Sequence, residues 1–108
     1  MAHAASPYRQ EAPSRADIDA SRGALVLEFG DDDCGICSAA RPAIAQALGA
    51  RPDVRHWKIA DGRGRPLGRS FGVKLWPTLV FLQDGQEVAR LVRPMVALPI
   101  GEALELLG

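Results

Sequence analysis

The chain is poor in features that would assign it to several large classes of protein. Its 108 residues contain only two cysteines, too few for the several disulfide bridges of a small secreted domain. Basic and acidic residues balance at 13 each, so the net charge favours neither nucleic acid nor an anionic membrane as a partner. No apolar run approaches the roughly 20 residues that span a bilayer. Residues 1–7 lack the basic start and apolar segment of a signal peptide. We therefore expect a cytoplasmic protein, although a periplasmic protein whose signal peptide had been removed would look the same.

The two cysteines lie close together in the sequence Cys34-Gly35-Ile36-Cys37. They follow the apolar run at residues 24–29 and precede a stretch with helical spacing, so Cys34 is expected at the start of a helix. Two thiols at this spacing can close into a disulfide and open again, and the positive end of a helix dipole stabilises a thiolate. The motif predicts a reversible exchange of two electrons and two protons.

Two other interpretations of the cysteines stay open. Both can be small buried apolar residues, or they can supply half of a zinc site, which needs four ligands. Only His3 and His56 are available to complete such a site. His3 lies near the chain end and His56 is expected on the surface of a strand, so we expect no metal.

The spacing of apolar residues predicts one layered α/β domain over residues 8–108, after a disordered N-terminus at residues 1–7. The predicted strands cover residues 24–29, 54–59, 78–82 and 87–92, with a weaker edge strand at 8–11. The predicted helices cover residues 14–20, 37–48 and 66–71, and a last helix with Pro99 in its first turn. This order predicts a mixed four- or five-stranded sheet with helices on both faces.

Four features stand in the order found in one known family. They are the strand before the cysteine motif, Pro42 five residues after it, Trp76-Pro77-Thr78 at the start of a strand, and Asp84-Gly85 between the last two strands. In these features the chain resembles the thioredoxin family over about residues 24–107. The resemblance implies a thioredoxin fold and a protein-disulfide oxidoreductase with a redox-active centre and no bound cofactor. It also implies electron transport and cell redox homeostasis as the cellular role.

The resemblance implies a role for each residue of the motifs. Cys34 would be the exposed nucleophile that attacks a partner's disulfide, and Cys37 the buried thiol that releases the reduced partner. Pro77 would be cis, and the backbone of Trp76 beside it would pair with an extended substrate segment. Glu28 stands where the family has a buried acid, and it would take the proton of Cys37. The alternative for Glu28 is a solvent-facing position on a strand edge.

Several residues of the expected substrate groove depart from the family's usual pattern. Ile36 follows Gly35 where typical members have proline. Arg93 stands where a glycine often borders the groove, and Gly30 replaces a usual aromatic residue. We therefore expect a rebuilt docking surface around Gly35, Ile36, Trp76, Pro77 and Arg93.

Charged residues near the motif are expected to tune the thiols. Asp33 immediately precedes Cys34 and ends an acidic run at residues 31–33. Carboxylates beside a thiolate oppose its formation, and an acidic run favours partners with basic surfaces. Lys58, on the strand expected beside Glu28, is a second tuning candidate.

The expected partners are proteins that contain disulfides and, if the chain works as a reductant, an electron donor of the thioredoxin reductase type. We expect a monomer. A rival function from another class stays open, namely a thioredoxin-fold binding module or assembly chaperone that holds an extended chain at Trp76 and Pro77 without redox turnover.

Overall fold

Four helices and four strands alternate along the chain in the computed structural model, which describes residues 6–108. The helices are α1 (Arg15–Asp19), α2 (Gly35–Gly49), α3 (Pro66–Ser70) and α4 (Ala97–Leu104). The strands are β1 (Ala24–Gly30), β2 (Arg55–Ala60), β3 (Thr78–Gln83) and β4 (Gln86–Val92). Of the predicted disordered N-terminus, residues 1–5 lie outside the described residues.

The strands form a mixed four-stranded sheet in the order β2-β1-β3-β4. β1 pairs in parallel with β2 and antiparallel with β3, and β3 and β4 form a hairpin. The mixed sheet is confirmed, but the weak fifth strand at residues 8–11 is wrong. Arg9 makes one parallel bridge with Ile59, and the chain then bends at Gln10 and Glu11, so the pairing does not continue.

Helices cover both faces of the sheet, as predicted. Successive side chains of a strand point to opposite faces, and β1 is buried on both. On one face Val26 belongs to a cluster with Ile44 of α2 and Ile100 of α4. On the other face Phe29 belongs to a cluster that α1 and α3 cover, and its ring centroid lies 6.0 Å from that of Phe71. The α2 face of β1 is the face that carries the site.

Capping and turn residues set the ends of these elements. The Ser14 hydroxyl and the Asp17 carboxylate cap α1 in a reciprocal pair, as the sequence predicts. Helix α2 begins at Gly35, earlier than the predicted residue 37, because Cys34 itself is the capping residue. Helix α4 begins at Ala97, so Pro99 lies within its first turn. None of the helices within residues 6–108 is long and apolar enough to cross a membrane.

Candidate active site

The two cysteines occupy unequal positions at the start of α2. Cys34 is the N-cap residue, and its Sγ accepts a hydrogen bond of 3.1 Å from the backbone N–H of Cys37. Cys34 is half-buried, whereas Cys37 is only 4 % exposed, and both are free thiols. Burial, with a further contribution from the hydrogen bond to Cys34, raises the pKa of Cys37 to about 11. A partner therefore meets Cys34 first, and Cys37 keeps its proton at neutral pH.

The segment around Trp76 and Pro77 packs beside the thiols. Their peptide bond is cis, and the half-buried Trp76 packs against the small cluster that contains both cysteines. Its indole Nε1 donates to Asp61 Oδ2 at 2.9 Å. The guanidinium Nε of Arg93 donates to the Trp76 carbonyl at 2.9 Å. The backbone acceptor that the resemblance reserves for a substrate is thus engaged by Arg93.

Glu28 is buried, with 2 % of its surface exposed, so the solvent-facing alternative is wrong. Its Oε2 accepts a hydrogen bond from the Tyr8 hydroxyl, and its Oε1 lies 2.8 Å from His56 Nε2. The expected surface position of His56 is also wrong, because only 8 % of it is exposed. The parallel register pairs His56 with Val26, on the α2 face of the sheet.

Tyr8 is a residue of the site that the sequence did not indicate. It is 4 % exposed and belongs to one cluster with Cys37. A Cβ atom on Gly30 would stand 2.6 Å from the Tyr8 hydroxyl oxygen and 2.8 Å from Cys37 Sγ. The missing side chain at residue 30 therefore makes the space that the Tyr8 ring fills. In the sequence, this space is marked by the glycine at residue 30, where the family usually has an aromatic residue.

Lys58 lies in the same buried region. It is paired with Glu28 in the register of β1 and β2. Its Nζ donates to the Ser6 carbonyl at 2.6 Å and lies 4.4 Å from the centroid of the Tyr8 ring. Burial lowers the pKa of Lys58, and the charge of Glu28 opposes that shift.

The three carboxylates of the acidic loop at residues 31–33 make different contacts. Asp32 Oδ1 accepts the backbone N–H of Tyr8 at 3.0 Å, and Asp31 Oδ1 accepts that of Asp33 at 3.0 Å. Asp33 is exposed, as are Gly35 and Ile36 at the start of α2. Asp32 thus anchors the N-terminal segment, while Asp33 faces solvent.

Metal ligands are not grouped in the described part of the chain. Within residues 6–108, no three His, Cys, Asp or Glu side chains are arranged to hold a metal ion. His3, the other candidate ligand, lies outside the described residues, and His56 contacts Glu28.

Comparison with known proteins decides the family. The family model described as Thioredoxin matches residues 8–99. The chain belongs to the thioredoxin family. It superimposes on thioredoxin 2 from Pseudomonas aeruginosa PAO1 in its reduced form with a TM-score of 0.84 and 52 % identity, over 94 % of both chains.

Curated relatives give the same family at lower identity. The thioredoxin of Chlamydia muridarum is 36 % identical over 78 residues, which cover 71 % of this chain and 74 % of the relative. The thioredoxin H-type 1 of Nicotiana tabacum is 31 % identical over 68 residues, which cover 63 % of this chain. The chain spans only 54 % of the length of that plant relative.

Proposed function

We propose that the protein is a protein-disulfide oxidoreductase that exchanges dithiol and disulfide with protein partners through Cys34 and Cys37. The observation that carries the proposal is the asymmetry of the pair. Cys34 is accessible at the first turn of α2, and Cys37 is buried within reach of it. Membership of the thioredoxin family supports the same reaction.

The reaction proceeds in two exchanges. The Cys34 thiolate attacks one sulfur of a partner disulfide, the partner's S–S bond breaks, and the leaving sulfur takes up a proton. Cys37 then loses its proton and attacks Cys34 Sγ. The mixed disulfide breaks and the second partner thiol is released, so two electrons have passed to the partner. The N–H of Cys37 and the helix dipole stabilise the Cys34 thiolate.

The substrate groove is formed by the residues around the thiols and the cis peptide bond, namely Gly35, Ile36, Trp76, Pro77 and Arg93. An extended substrate segment gains main-chain hydrogen bonds by pairing with such a backbone. Arg93 already donates to the Trp76 carbonyl, so a substrate that pairs there displaces this contact. We therefore expect Arg93 to occupy the groove in the free protein and to be displaced when a substrate binds.

The remaining assignments concern the proton acceptor of Cys37, the residues that tune the thiols, and the cellular setting. Glu28 is the acceptor of the Cys37 proton, because it is a buried acid that is hydrogen-bonded to Tyr8, a residue of the same cluster as Cys37. Asp33 and Lys58 tune the thiols by their charge. We place the protein in the cytoplasm as a monomer that serves electron transport and redox homeostasis, with a donor of the thioredoxin reductase type.

Reduction of insulin by dithiothreitol tests the proposal. The wild-type protein should accelerate precipitation of the insulin chains, and Cys34→Ser should abolish the acceleration. Ser38→Ala is the matched control, because Ser38 is an exposed residue of the same helix and should leave the rate unchanged. Acceleration that survives Cys34→Ser would overturn the proposal and favour the binding module.

A further inference from the structure

The hydroxyl of Tyr8 lies between the buried thiol and the buried acid of the site. It donates a hydrogen bond to Glu28 Oε2, and its residue belongs to one small buried cluster with Cys37. The hydroxyl oxygen and Cys37 Sγ border the same small space, within 2.6 and 2.8 Å of the place where a Cβ of Gly30 would stand. One hydroxyl thus contacts a group that can accept a proton and borders the space occupied by the thiol that must lose one.

The segment that carries Tyr8 is fixed on both sides. The backbone N–H of Tyr8 donates to Asp32 Oδ1 at 3.0 Å. The backbone of Arg9 pairs with that of β2, donating to the Lys58 carbonyl at 2.8 Å. The Lys58 ammonium donates a hydrogen bond to the Ser6 carbonyl and lies over the Tyr8 ring. These contacts set the hydroxyl in place without help from a substrate.

We propose that Tyr8 relays the proton of Cys37 to Glu28 in the second exchange. This inference rests on the proposed function and adds a proton-relay residue to its second step. A neutral tyrosine can receive a proton on its oxygen as it gives up its own. The relay therefore joins two groups that need not touch each other.

The relay conserves every proton. The S–H bond of Cys37 breaks and its proton passes to the Tyr8 oxygen, while the original hydroxyl proton passes to Glu28 Oε2. Tyr8 remains neutral throughout, and its new O–H bond then donates a hydrogen bond to the Cys37 thiolate while the proton stays on the Tyr8 oxygen. The thiolate attacks Cys34 Sγ, the bond from Cys34 to the partner breaks, and the electron pair leaves on the partner sulfur, which takes a proton from solvent.

The electrostatics of the site agree with this route. Burial and the charge of Glu28 raise the pKa of Tyr8 far above its usual value, so a free tyrosinate does not form. Burial raises the pKa of Cys37, and the Tyr8 hydroxyl partly offsets this, because it can donate to the Cys37 thiolate once its original proton has passed to Glu28. The hydroxyl thus assists loss of the Cys37 proton.

Other charged groups face the route from each element packed against it. They are His56 and Lys58 on β2, Asp32 in the loop after β1, Cys34 at the N-cap of α2, and Arg41 of α2, whose charge acts on Lys58. Replacing Tyr8 by phenylalanine leaves all of these groups and the aromatic ring in place. A comparison of the two proteins therefore isolates the hydroxyl.

The two exchanges can be timed separately with dithiobis-nitrobenzoate as the disulfide. Attack by Cys34 releases one thionitrobenzoate, and attack by Cys37 releases the second. In Tyr8→Phe we expect the first phase to be unchanged and the second to slow about tenfold to a hundredfold near neutral pH. The defect should shrink as the pH rises toward the Cys37 pKa of about 11, because hydroxide then removes the proton directly.

A second variant tests whether Tyr8 and Glu28 act in one route. Glu28→Gln should slow the same phase, and the double variant should be no slower than the slower single variant, since both break one relay. A second phase that is unchanged in Tyr8→Phe, slowed equally at every pH, or slowed multiplicatively in the double variant would overturn the relay. If the wild type shows both phases but does not accelerate insulin reduction, the proposed function fails while the relay stands.

Discussion

Replacing Gly30 by alanine should destabilise the reduced protein, because the new methyl group has no space. Its Cβ would stand 2.6 and 2.7 Å from the hydroxyl oxygen and Cζ of Tyr8, and 2.8 Å from Cys37 Sγ. Overpacking of this kind costs about 2 kcal/mol, or about 8 °C in the melting temperature of a domain of this size. Tyr8→Ala removes two of the three close atoms. In that background we expect Gly30→Ala to cost only about 1 kcal/mol, a coupling of about 1 kcal/mol between the two sites.

Urea unfolding of the four proteins of this cycle, all reduced, measures the coupling. Gly49→Ala is the matched control, because a Cβ on Gly49 meets nothing within 4 Å and alanine is favoured over glycine in a helix. It should leave stability unchanged or slightly raised. An equal loss in both backgrounds would refute the claim that Tyr8 fills the space left by Gly30, as would an unperturbed Gly30→Ala protein.

The buried thiol, the groove arginine and the acidic loop each give one further test. The pKa of Cys37 is about 11 in the folded protein, against an ordinary value of 9.0. Between these two pH values Cys37 keeps its proton in the folded protein, whereas in the unfolded chain it has lost it. The free energy of unfolding should therefore be at its full value below about pH 9 and should fall as the pH rises toward 11. The fall should be smaller in Cys37→Ser, and an equal dependence on pH in the two proteins would contradict this. Arg93→Ala frees the Trp76 carbonyl of a contact worth about 1 kcal/mol, so kcat/KM for insulin should rise about fivefold. A fall would instead show that Arg93 holds the substrate. Asp33→Asn removes a charge beside Cys34, so a thiolate-absorbance titration should shift to lower pH, less so in high salt, and an unmoved titration would refute tuning by Asp33.

Local sequence patterns were sufficient for the elements and the reactive motif. The apolar strands, the capping Ser14 and the hairpin at Asp84-Gly85 depend on neighbours within a few residues, and the structure has each of them. The cis bond before Pro77 and the burial of Cys37 followed from the family resemblance.

Contacts between distant residues could not be predicted in the same way. Tyr8 meets Glu28 across 20 residues of sequence, and a single bridge at Arg9 rather than a strand places it there. His56 lies inside because the register of β1 and β2 decides which face its side chain takes, and a shift of one residue would reverse that face. The contact of Arg93 with the Trp76 carbonyl joins β4 to the cis segment, and no local pattern encodes it.

The central claim is that Cys34 attacks the partner and Cys37 only resolves the mixed disulfide. A direct test incubates the reduced Cys37→Ser protein with oxidised insulin. Its peptides are then mapped by mass spectrometry with all disulfide bonds left intact. We expect a stable mixed disulfide at Cys34, and little or none at Cys37 in the matched Cys34→Ser protein. An adduct that forms as readily at Cys37, or none at Cys34, would contradict it.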